Sequence, residues 1–225
     1  MNKQYTSADV AEVDGGKLPN RNAQVTRDRI LQTAVREFAE KGYSGVRVEA
    51  IARIADINIR MIYHYFVSKE QLYIEVLEYV LSELRDDEFK LNLDVHNIDP
   101  VLGILKLYDF TEAHFARNKD LQSLLQSENL NKAIYLKQSK RIQEMSFPIL
   151  DILGQLIKRG EESHTIRPNI NPLHLYTTLV SLSVFHKSNA YTLSYMFDTD
   201  LLAPEWQQAH KTQAHEMIKA YLQAK

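Results

Sequence analysis

Between Arg47 and Lys69 the chain carries Arg47, Asn58, Arg60, Tyr63, His64 and Lys69, with Ile59 and Met61 set among them. Guanidinium and amide groups pair with base edges, whereas ammonium, phenol and imidazole groups hold phosphate oxygens. That mixture, centred on one short helix, is suited to contacting double-stranded DNA and not to breaking bonds. Residue types that would support catalysis are not arranged for it. The eight histidines include no i, i+4 pair with a glutamate between, and there is no cysteine to complete a metal site. No glycine loop cradles phosphate, no Gly-x-Ser-x-Gly occurs, and the carboxylates are scattered without evident pairing. Neither an enzymatic activity nor a cofactor nor a metal is expected.

The elements that must position these side chains follow from periodicity. Ile30, Ala34 and Phe38, with Leu31 and Val35 beside them, form one apolar helical stripe, with Thr26 as the expected N-cap and Gly42 just past the C-terminal end. Val48, Ile51, Ala52 and Ala55 make the compact face of a short second helix, and the two alanines permit close approach of another helix. Asp56 and Ile57 form a tight turn, and Asn58 caps a third helix anchored by Ile57, Ile62 and Phe66. This leaves Asn58, Ile59, Arg60, Met61, Tyr63 and His64 facing outward. Ser68 caps a fourth, long helix through Leu72, Val76, Leu77, Val80, Leu81 and Leu84. The second and third helices have the spacing of a helix-turn-helix, which places one helix in the major groove.

Glycine and proline are absent between Val46 and Asp99 and again between Ile104 and Phe147, and nothing alternates with period two, so the chain reads as all-α. Asp99 and Pro100 cap and open a helix to about Asn118 that is apolar nearly all round. A short helix near Asp120 to Gln126 leads into a long one from about Leu130 to Arg159, which Pro148 should kink or break. Asn171-Pro172 and Pro204 open two final helices whose excess apolar surface predicts cover by a second copy, over residues 172–192 and 204–224. Polar groups on otherwise apolar faces mark an expected small-molecule site: Tyr108 and His114, then Gln138 and Arg141 along the long stripe with apolar Met145 beside them, then Tyr176. Arg141 is the most pointed member, because a buried guanidinium needs an anionic or acceptor partner.

Ala34, Phe38, Gly42-Tyr43, Ile51-Ala52, Ala55, Ile57, Ile62-Tyr63, Tyr65-Phe66, Ser68-Lys69-Glu70 and Leu72 together resemble the DNA-binding domain of the TetR family of transcriptional regulators. The resemblance covers residues 26–86. It implies a three-helix head containing the helix-turn-helix, a larger helical ligand-sensing and dimerisation body over residues 87–225, and a homodimer built by the last two helices. It further implies a repressor released from a palindromic operator by a small-molecule effector. Asn58, Arg60 and Met61 would face base edges, and Arg47, Tyr63, His64 and Lys69 would hold phosphates. Asp56 stands in place of the usual turn glycine, Val46 of a frequent threonine and Val67 of a frequent proline. The body is faintly similar to regulators of nitrogen-heterocycle catabolism of the pyrimidine-utilisation type, which implies a small polar ring compound as effector.

Charge distribution agrees. Lys17 to Lys69 hold ten cationic and five acidic residues, a surplus of five, so the remainder carries −7 of a whole-chain −2. One basic end on an acidic body is the footprint expected of a DNA binder. The first 25 residues, polar and with no apolar period, read as a flexible arm offering Lys17 and Arg21 to phosphates. Absence of cysteine, of a signal-peptide core and of any long apolar run points to the cytoplasm and away from membranes.

Overall fold

The computed structural model describes residues 21–223, which form eleven α-helices and one short 3-10 turn with no strand among them. The head comprises α1 (Arg21–Gly45), α2 (Val48–Ile54) and α3 (Ile59–Phe66). The body contains α4 (Lys69–Lys90), α5 (Pro100–Arg117), α6 (Lys119–Leu130), α7 (Lys140–Ser146), α8 (Pro148–Glu162), α9 (Pro172–Ser188), α10 (Ala190–Phe197) and α11 (Pro204–Gln223).

Most caps are those the sequence marks. Asn58 Oδ1 accepts the Arg60 N–H at 2.9 Å, Ser68 Oγ the Gln71 N–H at 3.0 Å, and Asp99 Oδ1 the Leu102 N–H at 2.8 Å. Each oxygen satisfies an amide that its helix cannot. Asn171 Oδ1 accepts from both Leu173 and His174 ahead of α9. Gly42 takes φ 67 and ψ 172 at a kink within α1, a positive φ that glycine adopts without strain, and Asp56 takes φ 50 in the turn between α2 and α3. Thr26 is a correction. Helix α1 already runs from Arg21, and the Thr26 hydroxyl donates back to the Asn22 carbonyl at 2.9 Å, inside the helix. The expected arm over residues 1–25 therefore ends by Arg21, and its first 20 residues lie outside the described part of the chain.

Two apolar cores stack along the molecule. The first gathers Ile30, Ala34, Phe38, Ile51, Ile62 and Phe66 of the head onto Leu72, Val76 and Leu77 of α4, and continues into Leu121 and Leu124 of α6. The second joins α5, α8, α9 and α11 through residues such as Ile104, Leu153, Leu179 and Ile218. The buried apolar residues of α4 lie in the first core, which joins the head to Phe115, Leu121 and Leu124 of the body, and its last turns meet α9 through Arg85 and Tyr176.

The long helix expected over 130–159 is three pieces. Lys132 and Ala133 adopt φ 59 and φ 57, the 3-10 turn Leu136–Gln138 follows, and Pro148 opens α8 as its first residue. Proline lacks the amide that would continue α7, so the break falls where the ring requires it. Gly160 lies inside the last turn of α8. A Cβ there would lie 2.4 Å from Ile166, so glycine is needed for the returning chain to pass.

Between α3 and α4, Val67 is held at φ 62, ψ −48, and the Ser68 N–H reaches the Phe66 carbonyl at 2.6 Å. This is a three-residue γ-turn of the strained positive-φ kind, occupied by a β-branched residue whose side chain is exposed and gains no packing. Replacing Val67 by glycine should relieve about 1 kcal/mol of strain and raise the unfolding midpoint by roughly 2–4 °C. Val67→Pro should lower it, because proline fixes φ near −65°. Differential scanning calorimetry of the two variants checks both signs.

Candidate nucleic-acid interface

Helix α3 is held by one face. Ile62 and Phe66 are fully buried in the first core, and Ile57, Ile59 and Tyr65 pack partly against it. Asn58, Arg60, Tyr63 and His64 consequently point to solvent, with Met61 half-buried at the edge. Ile59 is the exception to the outward set, since it leans on the core. Among the described residues neither Arg47 nor Arg60 has a carboxylate within ion-pair distance. Two exposed guanidiniums without internal partners leave their donors free for an external acceptor. Val46 is buried, and Arg47 beside it is exposed.

Lys69 is placed with more care. Its Nζ sits 4.4 Å above the Tyr43 ring, and partial burial lowers its pKa from the ordinary lysine value. Tyr43 in turn stacks within an aromatic knot, 4.3 Å from Tyr135 and 5.2 Å from Tyr73, while Tyr73 meets Phe38 edge-on at 4.8 Å. The base of the interface is thereby fixed to both α4 and the segment before α7. Arg27 stiffens the other side, pairing with Glu75 and lying 5.1 Å over the Phe66 ring.

The expected effector residues do not gather in one place. Tyr108 is fully buried in the second core, its hydroxyl has no hydrogen-bond partner, and burial raises its pKa; Tyr176 packs on the same core. His114 is buried on α5, where desolvation lowers its pKa, with Nδ1 3.6 Å from Asp87 of α4. Gln138 and Arg141 are corrections. Both are exposed, and both fasten the α7 region to α4: Gln138 Nε2 donates to Glu70 at 2.8 Å, and Arg141 lies 3.6 Å from Glu78. Ser139 Oγ completes that seam with a 2.5 Å hydrogen bond to Glu78, and Met145 packs against the head's core, not the body's. A guanidinium with a carboxylate on the surface needs no ligand.

On α4 a part-buried guanidinium belongs to Arg85. It pairs with Glu88 one turn along α4 and donates to the Tyr176 hydroxyl at 3.3 Å, while its Nε has no partner. The pair was legible as a continuation of the Leu77, Leu81, Leu84 stripe into charged residues. Burial drives the Glu88 carboxyl upward while Arg85 opposes that shift.

A wholly helical chain presenting a solvent-facing recognition helix from a compact three-helix head defines a helix-turn-helix DNA-binding protein. Residues 30–76 match the family described as bacterial regulatory proteins, tetR family, and residues 100–218 match the tetracyclin repressor-like C-terminal domain. The chain belongs to the TetR family of transcriptional regulators. It is 35% identical to the transcriptional repressor NicS of Pseudomonas putida over 179 residues, 80% of this chain and 84% of the relative. That span must include much of the body. The regulator RutR of Escherichia coli is 37% identical over 63 residues, 28% of this chain and 30% of the relative. The SCO4942 regulator of Streptomyces coelicolor shares the fold with a TM-score of 0.66 at 22% identity, over 88% of this chain and 98% of that one. FadR of Bacillus subtilis, solved with stearoyl-CoA, does so with a TM-score of 0.60 at 18% identity, over 87% and 99%. These relatives are regulators and not enzymes. No described helix is long and apolar enough to cross a membrane.

On this geometry, Arg60→Ala should cost about 1–3 kcal/mol of DNA affinity and relax selectivity at one base pair. Lys69→Ala should weaken all sequences alike and flatten the dependence of affinity on salt by about one ion. Salt-resolved anisotropy titrations on specific and random duplexes separate the two outcomes.

Proposed function

We propose that the protein is a homodimeric repressor that binds a palindromic operator and is released from it by a small-molecule effector taken into the body. The observation that carries this reading is the double membership of α4. Its N-cap, Ser68, lies two residues beyond the recognition helix, and its last turns hold Arg85 and Glu88 against Tyr176 of α9. A compound binding at that end moves the helix that, among the described residues, runs unbroken from the recognition helix into the body. NicS is named a repressor, and the FadR structure shows an acyl-CoA in a related fold. Both support the reading.

Asn58, Arg60 and Met61 are assigned to base edges, and Arg47, Tyr63, His64 and Lys69 to phosphates. One head reads too few base pairs for useful selectivity, so two heads on a two-fold site are required. The second copy is assigned to the face of α9, α10 and α11. Phe185 of α9 and Met217 and Tyr221 of α11 are exposed there, and α10 presents Tyr191, Met196, Phe197 and a Tyr195 that is 90% exposed. Apolar patches of this kind mark interfaces. Leu179, by contrast, is 3% exposed inside the body's own core, so a charge there would unfold the protomer before it could report on association.

A charge placed on this face, as in Phe197→Asp or Met217→Glu, should yield a monomer with the wild-type helical spectrum and no operator binding. Sedimentation equilibrium and circular dichroism read the two properties, and a wild-type chain that is monomeric at micromolar concentration overturns the assignment.

The effector is assigned an acceptor group, a carboxylate or a ring carbonyl, that engages Arg85 in place of Glu88. A preference of about 1–3 kcal/mol for the DNA-incompetent state suffices to weaken operator binding roughly 5- to 150-fold. Titrating a set of heterocyclic carboxylic acids against the operator complex should release wild-type protein. Arg85→Ala should remain bound at the same concentrations, and Glu88→Gln should release at lower ones. Equal response of all three proteins would show Arg85 and Glu88 to be a structural pair only.

A further inference from the structure

A cleft of about 300 Å³ lies where the head meets the body, walled by Gln32 and Arg36 of α1, Tyr79 and Glu83 of α4, and the junction of α5 with α6. Three features of it favour an anion. First, its walls carry Arg36, Arg117 and Lys119, none of which has a carboxylate within ion-pair distance among the described residues. Second, the 12-residue α6 starts at the cleft: Lys119, Asp120 and Leu121 all line it, and the N-cap residue Asn118 makes no capping hydrogen bond. The Asn118 amide instead donates backward to the His114 carbonyl at 3.0 Å. The first amides of α6 are left without a side-chain acceptor, and the positive end of the helix faces the opening. Third, His114 is 2% exposed and lines the same cleft, and its Nδ1 makes no hydrogen bond, lying 3.6 Å from the Asp87 carboxylate.

Two carboxylates also line the cleft. Glu83 is engaged by the Tyr79 hydroxyl, which itself accepts from Gln32 of α1 at 2.6 Å, and Asp120 projects into solvent from the first turn of α6. The lining still carries one net positive charge with His114 neutral, as its burial dictates.

We propose that this cleft is a regulatory site for a compact anion, bearing a carboxylate or phosphate group, that binds the uncapped start of α6 and ties the head to the body. The site is distinct from the Arg85 end of α4 and does not depend on that assignment. Its walls come from α1 on one side and α4, α5 and α6 on the other, so occupancy constrains how the head sits on the body. By linkage, whatever factor the anion imposes on operator affinity, the operator imposes on anion affinity.

The test titrates potassium phosphate and potassium succinate separately into the full chain at constant ionic strength, with chloride as the balancing ion. A saturable rise of the unfolding midpoint, about 3–5 °C at ten times the dissociation constant, is expected with at least one of them. Phosphate alone, succinate alone or both acting identifies which group the cleft accepts. The double variant Arg117→Gln, Lys119→Gln changes only exposed side chains and should keep the wild-type midpoint in chloride while losing the shift. Lys132→Gln, Lys137→Gln, which removes two exposed cations outside the cleft, should keep it. Calorimetric titration should also give an anion affinity that differs at least threefold between free and DNA-bound protein. No saturable shift, or an equal shift in the Arg117, Lys119 variant, overturns the site; equal anion affinities with and without DNA overturn its regulatory role.

Discussion

The apolar surface of α4 is the constraint on which the rest of the molecule depends. Leu72, Tyr73, Ile74, Val76 and Leu77 are buried along its first half, Val80, Leu81 and Leu84 along its second, and no single neighbour covers them all. The head covers α4 through α1 and α3, the α7 region packs along it from Glu70 to Glu78, and α5 and α6 also approach it. Removing so much apolar area from water is worth far more than any single polar contact at the domain junction. The head therefore has no independent core to retreat to, and its orientation is tied to whatever displaces α4.

Polar contacts refine that junction without creating it. Glu70 receives Gln138, Glu78 receives Ser139 and Arg141, and Glu75 holds Arg27. All three carboxylates lie on α4, so one helix collects donors from the head and from the α7 region at once. The aromatic knot of Phe38, Tyr43, Tyr73 and Tyr135 sits between them, and burial raises the Tyr73 and Tyr135 phenols so that both stay neutral. Lys69 lies over Tyr43 at the edge of this knot, so its ammonium group is held beside the exposed face of α3.

The body distributes its ionisable groups differently. Lys187 joins Glu112 between α9 and α5, and Asp109 takes both Lys211 and His215 of α11, so α5 is laced to the two helices on either side. His186 lies near the foot of the exposed apolar face, 4.2 Å from His210 and 5.7 Å from Trp206 by ring centroids. Desolvation pushes its pKa down to about 4, so the imidazole is neutral at ordinary pH and packs as an aromatic ring. These ties leave the α4–α9 contact at Arg85 and Tyr176 as a buried polar joint where the helix shared with the head meets the body.

The three-helix head and, apart from the Thr26 cap and Ile59, its caps and outward face were legible in the sequence because they depend on local rules. Ile62 and Phe66 must turn inward at their spacing, so Arg60 and His64 must turn outward, and Asn58 and Ser68 cap the helices they precede. The helix starts at Pro100, Pro172 and Pro204 were fixed in the same way by proline geometry. What tertiary structure decided was which polar residue on an apolar stripe is buried. Arg141 and Arg85 both interrupt such stripes, but α7 lies on the surface of α4 and leaves Arg141 in water beside Glu78, whereas the end of α4 enters the body and takes Arg85 with it. Periodicity gives the direction of a side chain from its own helix axis; the depth of that direction depends on how far the next helix extends, and that length is set by residues distant in the chain.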